Sequence, residues 1–336
     1  MEQTETTQAN KRAFRQAQRT LFSVGPAERE VLLRALYGSE TVWHGPHPLN
    51  DIAGVDRLIE TFWRPLTRAL PDLERCDDIL LGGVFKEGQW VAATGHFIGT
   101  FARSWLGIPA TGKTLTIRFG EFVKMAAGRV VETFIILDLL DVMRQAGCSP
   151  IAPSLGTADR VPGPSTHDGL ILAAPPVAET QKSLQLVEAM IAGLMSYDGN
   201  TLQSMGMTRF WHPNMMWYGP AGIGTARGLK GFEDHHQIPF LKAFPDRIGG
   251  NHKARLAEGD YIASTGWPSM QATHTGGGFL GLPPTGKRIG QRIMDFWRRD
   301  GDLLRENWVF IDLIDLLLQM DVDVFARLRV LHPAVD

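Results

Sequence analysis

Cysteine is nearly absent from this chain: two residues in 336, Cys76 and Cys148. They show no paired spacing and have no metal-ligand company nearby. A disulfide framework and a cysteine-built zinc site are therefore excluded, and both read as reduced thiols. A charge excess is also lacking, since 34 Lys and Arg are mixed with 36 Asp and Glu for a formal net charge of −2. Nucleic-acid binding normally shows as a basic stripe or a strongly basic domain, so no nucleic-acid partner is expected. No stretch approaches the roughly 20 apolar residues of a membrane span. The segment through Arg19 is polar and charged, without a signal-type apolar run. These absences predict a cytoplasmic protein with no membrane partner and leave a small molecule as the expected ligand.

What is present is a repeat. Trp43, Gly45 and Pro46 return 174 residues later as Trp217, Gly219 and Pro220, and Gly54, Pro65, Pro71 and Asp72 return as Gly228, Pro239, Pro245 and Asp246. The spacing persists through Gly107, Pro109, Thr111, Gly112 and Lys113 against Gly281, Pro283, Thr285, Gly286 and Lys287, and through Glu132, Asp138 and Asp141 against Glu306, Asp312 and Asp315. Solenoid repeats have periods of about 20 to 50 residues, so this is a duplicated folding unit. The expected domains are 11–146 and 179–330, joined by 147–178, a segment rich in proline and glycine without periodicity.

Within each copy the pattern runs from helix to strand. Residues 11–22, 27–37 and 180–196 have helical apolar spacing. Gly54–Leu70 and Gly228–Phe244 are helical candidates that stop at Pro-Asp and are expected to kink or divide at Pro65 and Pro239. Hairpins follow: Ile79–Phe85 with Trp90–Phe97, Thr114–Met125 with Arg129–Asp138, and Arg288–Arg298 with Leu303–Asp312. Helices followed by a meander predict an α+β fold. Asp138 and Asp312 are read as N-caps of the apolar tails after the last strand. The Gly-x-Pro-x-Thr-Gly-Lys pair lacks phosphate-loop spacing and reads as a turn.

The order of the Trp-x-Gly-Pro strand, the helix closing on Phe-Pro-Asp, Ala272–Gly276, the Gly281–Lys287 loop and the final Glu-Asn-Trp-Val strand resembles the SnoaL-like polyketide cyclases of the nuclear transport factor 2-like superfamily, here as a tandem pair. The resemblance implies two cone-shaped domains, each a curved sheet wrapped on helices around an apolar pocket. It also implies an intramolecular aldol cyclisation, in which an aspartate on the last long strand removes a proton next to a carbonyl and a histidine on the preceding strand assists. In this sequence the aspartate's positions hold Ile135 and Val309, and the histidine's positions hold Glu121 and Asp295.

Glu121 and Asp295 are each a carboxylate inside an apolar strand. An inward-facing acid there is desolvated, which raises its pKa and suits it to acid–base work; the alternatives are pairing with Arg118 or Arg292, or solvent on the outer face. The second copy carries His212, His235, His236, His252 and His274 with Trp211, Trp217, Tyr218, Trp267, Trp297 and Trp308, whereas the first has His44, His47 and His96. Imidazoles titrate near neutrality, and indole walls suit flat apolar ligands. His235 and His236 point about 100° apart on a helix, so only one faces the sheet. His274 either hangs over a pocket mouth or sits in an exposed loop, and Thr100 is read as its counterpart in the first copy. The histidine spacings match no metal-ligand pattern, so no metal is expected, nor any nucleotide or flavin cofactor. Strand alternation places Ile293, Asp295 and Trp297 on one face of their strand and Asn307, Val309 and Ile311 on one face of the next, and the family's geometry implies that they line one cavity. Asn307 is read as a hydrogen-bond donor to a substrate carbonyl, with His236, His274 or Tyr218 as relay partner to Asp295.

The resulting expectation is cofactor-free acid–base chemistry (cyclisation, isomerisation, hydration or elimination) on an apolar or aromatic substrate in the second copy, with the first copy mainly structural. The competing reading is a non-catalytic binding or scaffold protein that has lost the cyclase base. The two sheets are expected to pack on each other within the chain, with a further homodimer in solution.

Overall fold

The computed structural model describes residues 2–159 and 161–332. The first domain opens with α1 (Glu2–Leu21) and α2 (Pro26–Leu36), followed by β1 (Tyr37–His44) and β2 (Asp51–Ala53). A helical segment runs through α3 (Val55–Leu58), a π turn (Ile59–Trp63) and α4 (Arg64–Ala69). The domain ends with β3 (Glu74–Phe85), β4 (Gly88–Thr100), β5 (Thr114–Ala126), β6 (Arg129–Leu137) and α5 (Leu139–Gln145). The second domain repeats this order. It comprises α6 (Val177–Met195), β7 (Trp211–Tyr218), β8 (Thr225–Arg227), α7 (Gly228–Phe232), a π turn (Glu233–Gln237), α8 (Ile238–Ala243), β9 (Ile248–Gly249), β10 (His252–Glu258), β11 (Tyr261–Thr273), β12 (Arg288–Asp300), β13 (Leu303–Ile311), α9 (Leu313–Gln319) and α10 (Val324–Leu331).

The sheets have the same topology, β3-β4-β5-β6-β1-β2 in the first domain and β10-β11-β12-β13-β7-β8 in the second, with β9 added to β11. Among the strand pairs of the described residues, β1–β6 and β7–β13 are parallel and the others antiparallel. Each domain is thus a curved mixed sheet wrapped on helices, the α+β cone that the sequence predicts.

Local chemistry explains the shared details. Gly54 precedes the first helical segment and Gly228 opens the second, at φ 83° and 67°, a region that side-chain-bearing residues disfavour. Pro65 and Pro239 have no N–H for the α-helical ladder. The π turn immediately before each shifts the hydrogen-bond register, so the helix is divided there and continues. Asp138 and Asp312 cap α5 and α9 by accepting the Asp141 and Asp315 amides, each at 3.2 Å.

The second oxygens of those two aspartates reach across the molecule. Asp138 accepts from Ala221 N at 2.9 Å and Asp312 accepts from His47 N at 3.0 Å, a reciprocal pair that marks a pseudo-two-fold relation between the domains. The outer sheet faces pack together around this axis: Leu81, Phe122, Phe134 and Ile136 meet Leu256, Met294, Phe296 and Phe310. Gly120 has no side chain because the Phe310 ring lies where a Cβ would stand. At about 1.5–3 kcal/mol for each large apolar side chain buried, this second core holds the domains as one unit. Glu258 adds a polar tie, accepting from Lys11 Nζ, Gln8 Nε2 and Gly82 N. The proline- and glycine-rich segment between the domains is irregular but anchored, through Leu80 pairing with Leu170, Thr157 with Thr225, and Trp308 Nε1 donating to Pro162 O at 2.8 Å.

The repeat spacing is not constant through the sheets. Between Gly266 and Met270, four steps along β11 advance against two along β12, from Ile293 to Gln291. Before this bulge at Trp267–Ser269, Ser264 stands where Ala93 does, 171 residues apart, and the two extra residues bring the separation to 173, not 174, beyond it. Thr273, not His274, matches Thr100: each bonds its domain's Pro-Asp carboxylate through its amide and hydroxyl, Asp72 with Thr100 and Asp246 with Thr273. The counterpart of His274 is Phe101, since their amides donate to the equivalent carbonyls of Lys287 and Lys113.

Candidate active site in the second cone

The interior of the second cone holds a cavity of about 240 Å³. Inward positions of β12 (Gln291, Ile293, Asp295, Trp297) and of β13 (Asn307, Val309, Ile311) form one wall. Trp211 and Trp217 come from β7, and Phe232, His236 and Phe240 from the divided helix opposite. Met190 and Leu194 of α6 cover one side, and Ser264, Ser269, Met270 and His252 complete the lining. The alternation of β12 and β13 therefore delivers the faces read from sequence.

Asp295 is the only acid in that lining. Its side chain is partly buried on the wall of a cavity that opens to solvent, and the apolar side chains packed around it desolvate the carboxyl. Burial pushes its pKa up to about 7, against the smaller pull of the Asn307 amide and Arg255. Asn307 Nδ2 donates to Asp295 Oδ1 at 3.2 Å and to Phe296 O at 3.1 Å. Both amide hydrogens are thus committed, and Asn307 positions the acid instead of donating to a substrate carbonyl. The group placed to donate is Ser264, which faces Asp295 across the β11–β12 ladder and whose hydroxyl makes no hydrogen bond to protein among the described residues. Directly opposed residues have Cβ atoms about 4.5–5.5 Å apart, so a substrate oxygen can reach both groups.

Of the two adjacent histidines, His236 faces the cavity and His235 does not line it. The His236 ring stacks on Trp217 at 4.5 Å and on Phe240 at 5.3 Å. Burial pushes its pKa down to about 3, so it is neutral at physiological pH. His252, on β10, is likewise shifted downward by burial and by Arg255 and Lys86.

Several expected site residues lie elsewhere. Tyr218 alternates with Trp217 and therefore faces the interdomain core, where it donates to Glu306 at 3.2 Å and stacks with Trp308. Trp267, displaced by the bulge, sits over the Arg292 guanidinium at 5.0 Å and against Phe134. His274 is neither at a pocket mouth nor exposed: it is fully buried beside Phe244, with Nδ1 3.1 Å from Thr285 Oγ1, and does not line the cavity. Arg292 does not hold Asp295, because it is drawn to Asp312 at 3.1 Å. In the first cone Glu121 is bonded by Arg75 at 2.7 Å and not by Arg118. Burial raises Glu121's pKa against the pull of that guanidinium. Ile135, in register with Glu121, is packed in the core, and the cone is filled by Trp43, Phe62, Trp63, Phe97 and Phe119. His96 faces outward, 3.2 Å from Asp78. Sequence reasoning passed over Ser264, Ser269 and Gln291. For Gln291 a signal existed, since it lies four residues before Asp295 on the same strand face.

The family model for SnoaL-like polyketide cyclases matches residues 29–146 and 190–320, most of both domains. The chain belongs to this family. Among solved structures, this SnoaL-like chain is similar to a protein from Jannaschia sp. CCS1 described as a SnoaL-like polyketide cyclase, with 21% identity over 36% of this chain and 81% of that one, TM-score 0.31. It is also similar to AclR of Streptomyces galilaeus, described as a hydroxylase, with 25% identity over 42% and 82% of the two chains, TM-score 0.34. A polyketide cyclase-described protein from Xanthomonas campestris pv. campestris shares 15% identity over 42% and 98%, TM-score 0.34. No curated protein matches the chain. Among the described residues no helix is long and apolar enough to cross a membrane, and no three His, Cys, Asp or Glu side chains are grouped to hold a metal ion.

Proposed function

We propose that the second cone of this SnoaL-like protein is a general acid–base active site that moves a proton at a carbon next to a carbonyl of an apolar or aromatic substrate. The observation that carries this reading is Asp295: an acid with pKa about 7 on the wall of an apolar cavity, oriented by an amide and not neutralised by a cation. Near neutral pH such a group is shared between its two forms, so it can take a proton and return one. The ionised Asp295 removes the α-proton, the electron pair moves onto the carbonyl oxygen, and the Ser264 hydroxyl donates to that oxygen. The neutral Asp295 then delivers its proton elsewhere on the substrate, which completes an isomerisation; alternatively, the enolate carbon attacks a second carbonyl to close a ring, and the neutral Asp295 protonates the alkoxide that forms there. Trp217, Trp297 and the stacked His236 supply the flat walls. The first cone, with Ala93 where Ser264 stands opposite Asp295 and with Glu121 held by Arg75, serves as scaffold. A cytoplasmic location fits this reading.

Exchange of the methyl protons of 2-acetylnaphthalene in D2O, followed by proton NMR, tests it. Wild type should accelerate exchange with a rate that rises with pH through about 7. Asp295→Asn should lower it by roughly 10²–10⁴. Equal rates in the two proteins would overturn it. The binding-module reading draws on Val309 and Ile135, apolar at both positions of the family's base. It predicts that the ketone binds without accelerated exchange.

A further inference from the structure

The cavity contains polar atoms that the proposed chemistry leaves idle. Gln291 is 1% exposed and lines the cavity, yet neither its amide oxygen nor its amide nitrogen has a hydrogen-bond partner. His252 Nδ1 and His236 Nδ1, on other walls of the cavity, are also without partners. Buried polar groups are nearly always paired, and several unpaired atoms around one cavity are what a bound molecule would satisfy. Gln291 and Asp295 are four residues apart on one strand face, which separates their Cα atoms by roughly 13 Å. Ile293 lies between them, so the cavity has two polar stations on an apolar floor.

We infer that Gln291 is the specificity-determining residue of this site and that its substrate carries a neutral group with both a donor and an acceptor, such as a carboxamide or a hydroxyl beside a carbonyl, at the end remote from the reacting carbon. A primary amide offers one acceptor and two donors, so its complement must present both kinds of atom. No lysine or arginine lines the cavity among the described residues, and Arg255 of β10, which acts on Asp295 and His252, is drawn to Glu188 at 3.7 Å, so an ionised carboxylate or phosphate would have no dedicated counter-charge at Gln291. The inference rests on the reading of this cavity as the substrate site.

The test uses the full chain and two probes of similar shape. Naphthalene-2-carboxamide supplies donor and acceptor, whereas 2-acetylnaphthalene supplies an acceptor alone. Binding is read from quenching of the tryptophans that line the cavity. In wild type the carboxamide should be preferred, and Gln291→Leu should reduce that preference by roughly tenfold, the effect of a hydrogen bond lost at a buried site. Affinity for 2-acetylnaphthalene should change little. Gln291→Met, closer in length, provides the same comparison if the leucine variant does not fold. Asp295→Asn should keep the carboxamide preference. If both probes bind and the preference is the same in wild type and the Gln291 variants, the role of Gln291 is overturned while the site stands. If neither probe binds wild type, the cavity is not the site and both readings fall.

Discussion

Asn307 holds Asp295 in place by donating from Nδ2, 3.2 Å from Oδ1, while its other amide hydrogen is committed to the Phe296 carbonyl. A donor to a carboxylate favours the ionised form, so this bond opposes the upward push of burial. Removing it in Asn307→Leu should move the midpoint of the pH–rate profile of proton exchange above the wild-type value of about 7. Exchange at neutral pH should fall while the plateau at high pH is largely retained. An unchanged midpoint would show that Asn307 does not tune the acid.

The same acid makes stability depend on pH. Its folded pKa, about 7, lies above the ordinary aspartate value of 3.8, so the native state binds the proton more tightly than the unfolded chain. The sign follows: the contribution is fully present below about pH 4 and is lost as pH rises through about 7. Asp295→Asn removes this dependence. Its stability relative to wild type should therefore improve between pH 5 and pH 8, by about 2–3 kcal/mol, checked by urea denaturation at both values.

In the first cone, Arg75 is buried between Asp77 and Glu121 and stacks on Phe119 at 4.3 Å. Arg75→Leu leaves two carboxylates without their cation in a packed interior and should cost about 3–5 kcal/mol. Replacing Glu121 by Gln in the same chain should restore part of that loss. Exchange activity per folded molecule should be unaffected, because the second cone contains neither residue. A large loss of activity at unchanged stability would mean that the first cone takes part in the chemistry.

The apolar outer faces of both sheets cover each other within the chain, through Phe122 against Phe296 at 5.5 Å and the reciprocal Asp138 and Asp312 contacts. A further dimer would need a different surface. Sedimentation tests the homodimer expected from the sequence: a two-chain mass shows that another face associates, and the mass of one chain shows that the intrachain pair of sheets takes the dimer's place. Asp138→Ala should lose both a helix cap and an interdomain bond, lowering stability by about 1–2 kcal/mol.

The fold was legible because the duplication repeats residues with backbone consequences: Gly54 and Gly228 at the start of the helical segments, the prolines that divide them, and the capping Asp138 and Asp312. The acid of the site was legible for a similar reason, since a lone carboxylate in an apolar strand must be paired, exposed or functional. Trp267 was not, because a bulge inserted in β11 breaks the period-two alternation by which its face would be read. His274 was misaligned with Thr100 because the β3–β4 and β10–β11 hairpins differ in length, which leaves Thr273, one residue earlier, at that position. Arg75 escaped because its partner lies 46 residues away, and only the curvature of the sheet brings the two together. Ser264 is a small residue of ordinary local pattern that only the cavity picks out, whereas Gln291 could have been found from its place four residues before Asp295 on the same strand face.

The central claim is that Asp295 carries a proton near neutrality, and direct titration of that carboxyl tests it. With ¹³C-labelled aspartate, the Asp295 carboxyl resonance, identified by its loss in Asp295→Asn, should titrate with a pKa of about 7. A midpoint near the ordinary aspartate value of 3.8 would contradict the account, since the group would then be a permanent carboxylate with little capacity to exchange protons with a substrate.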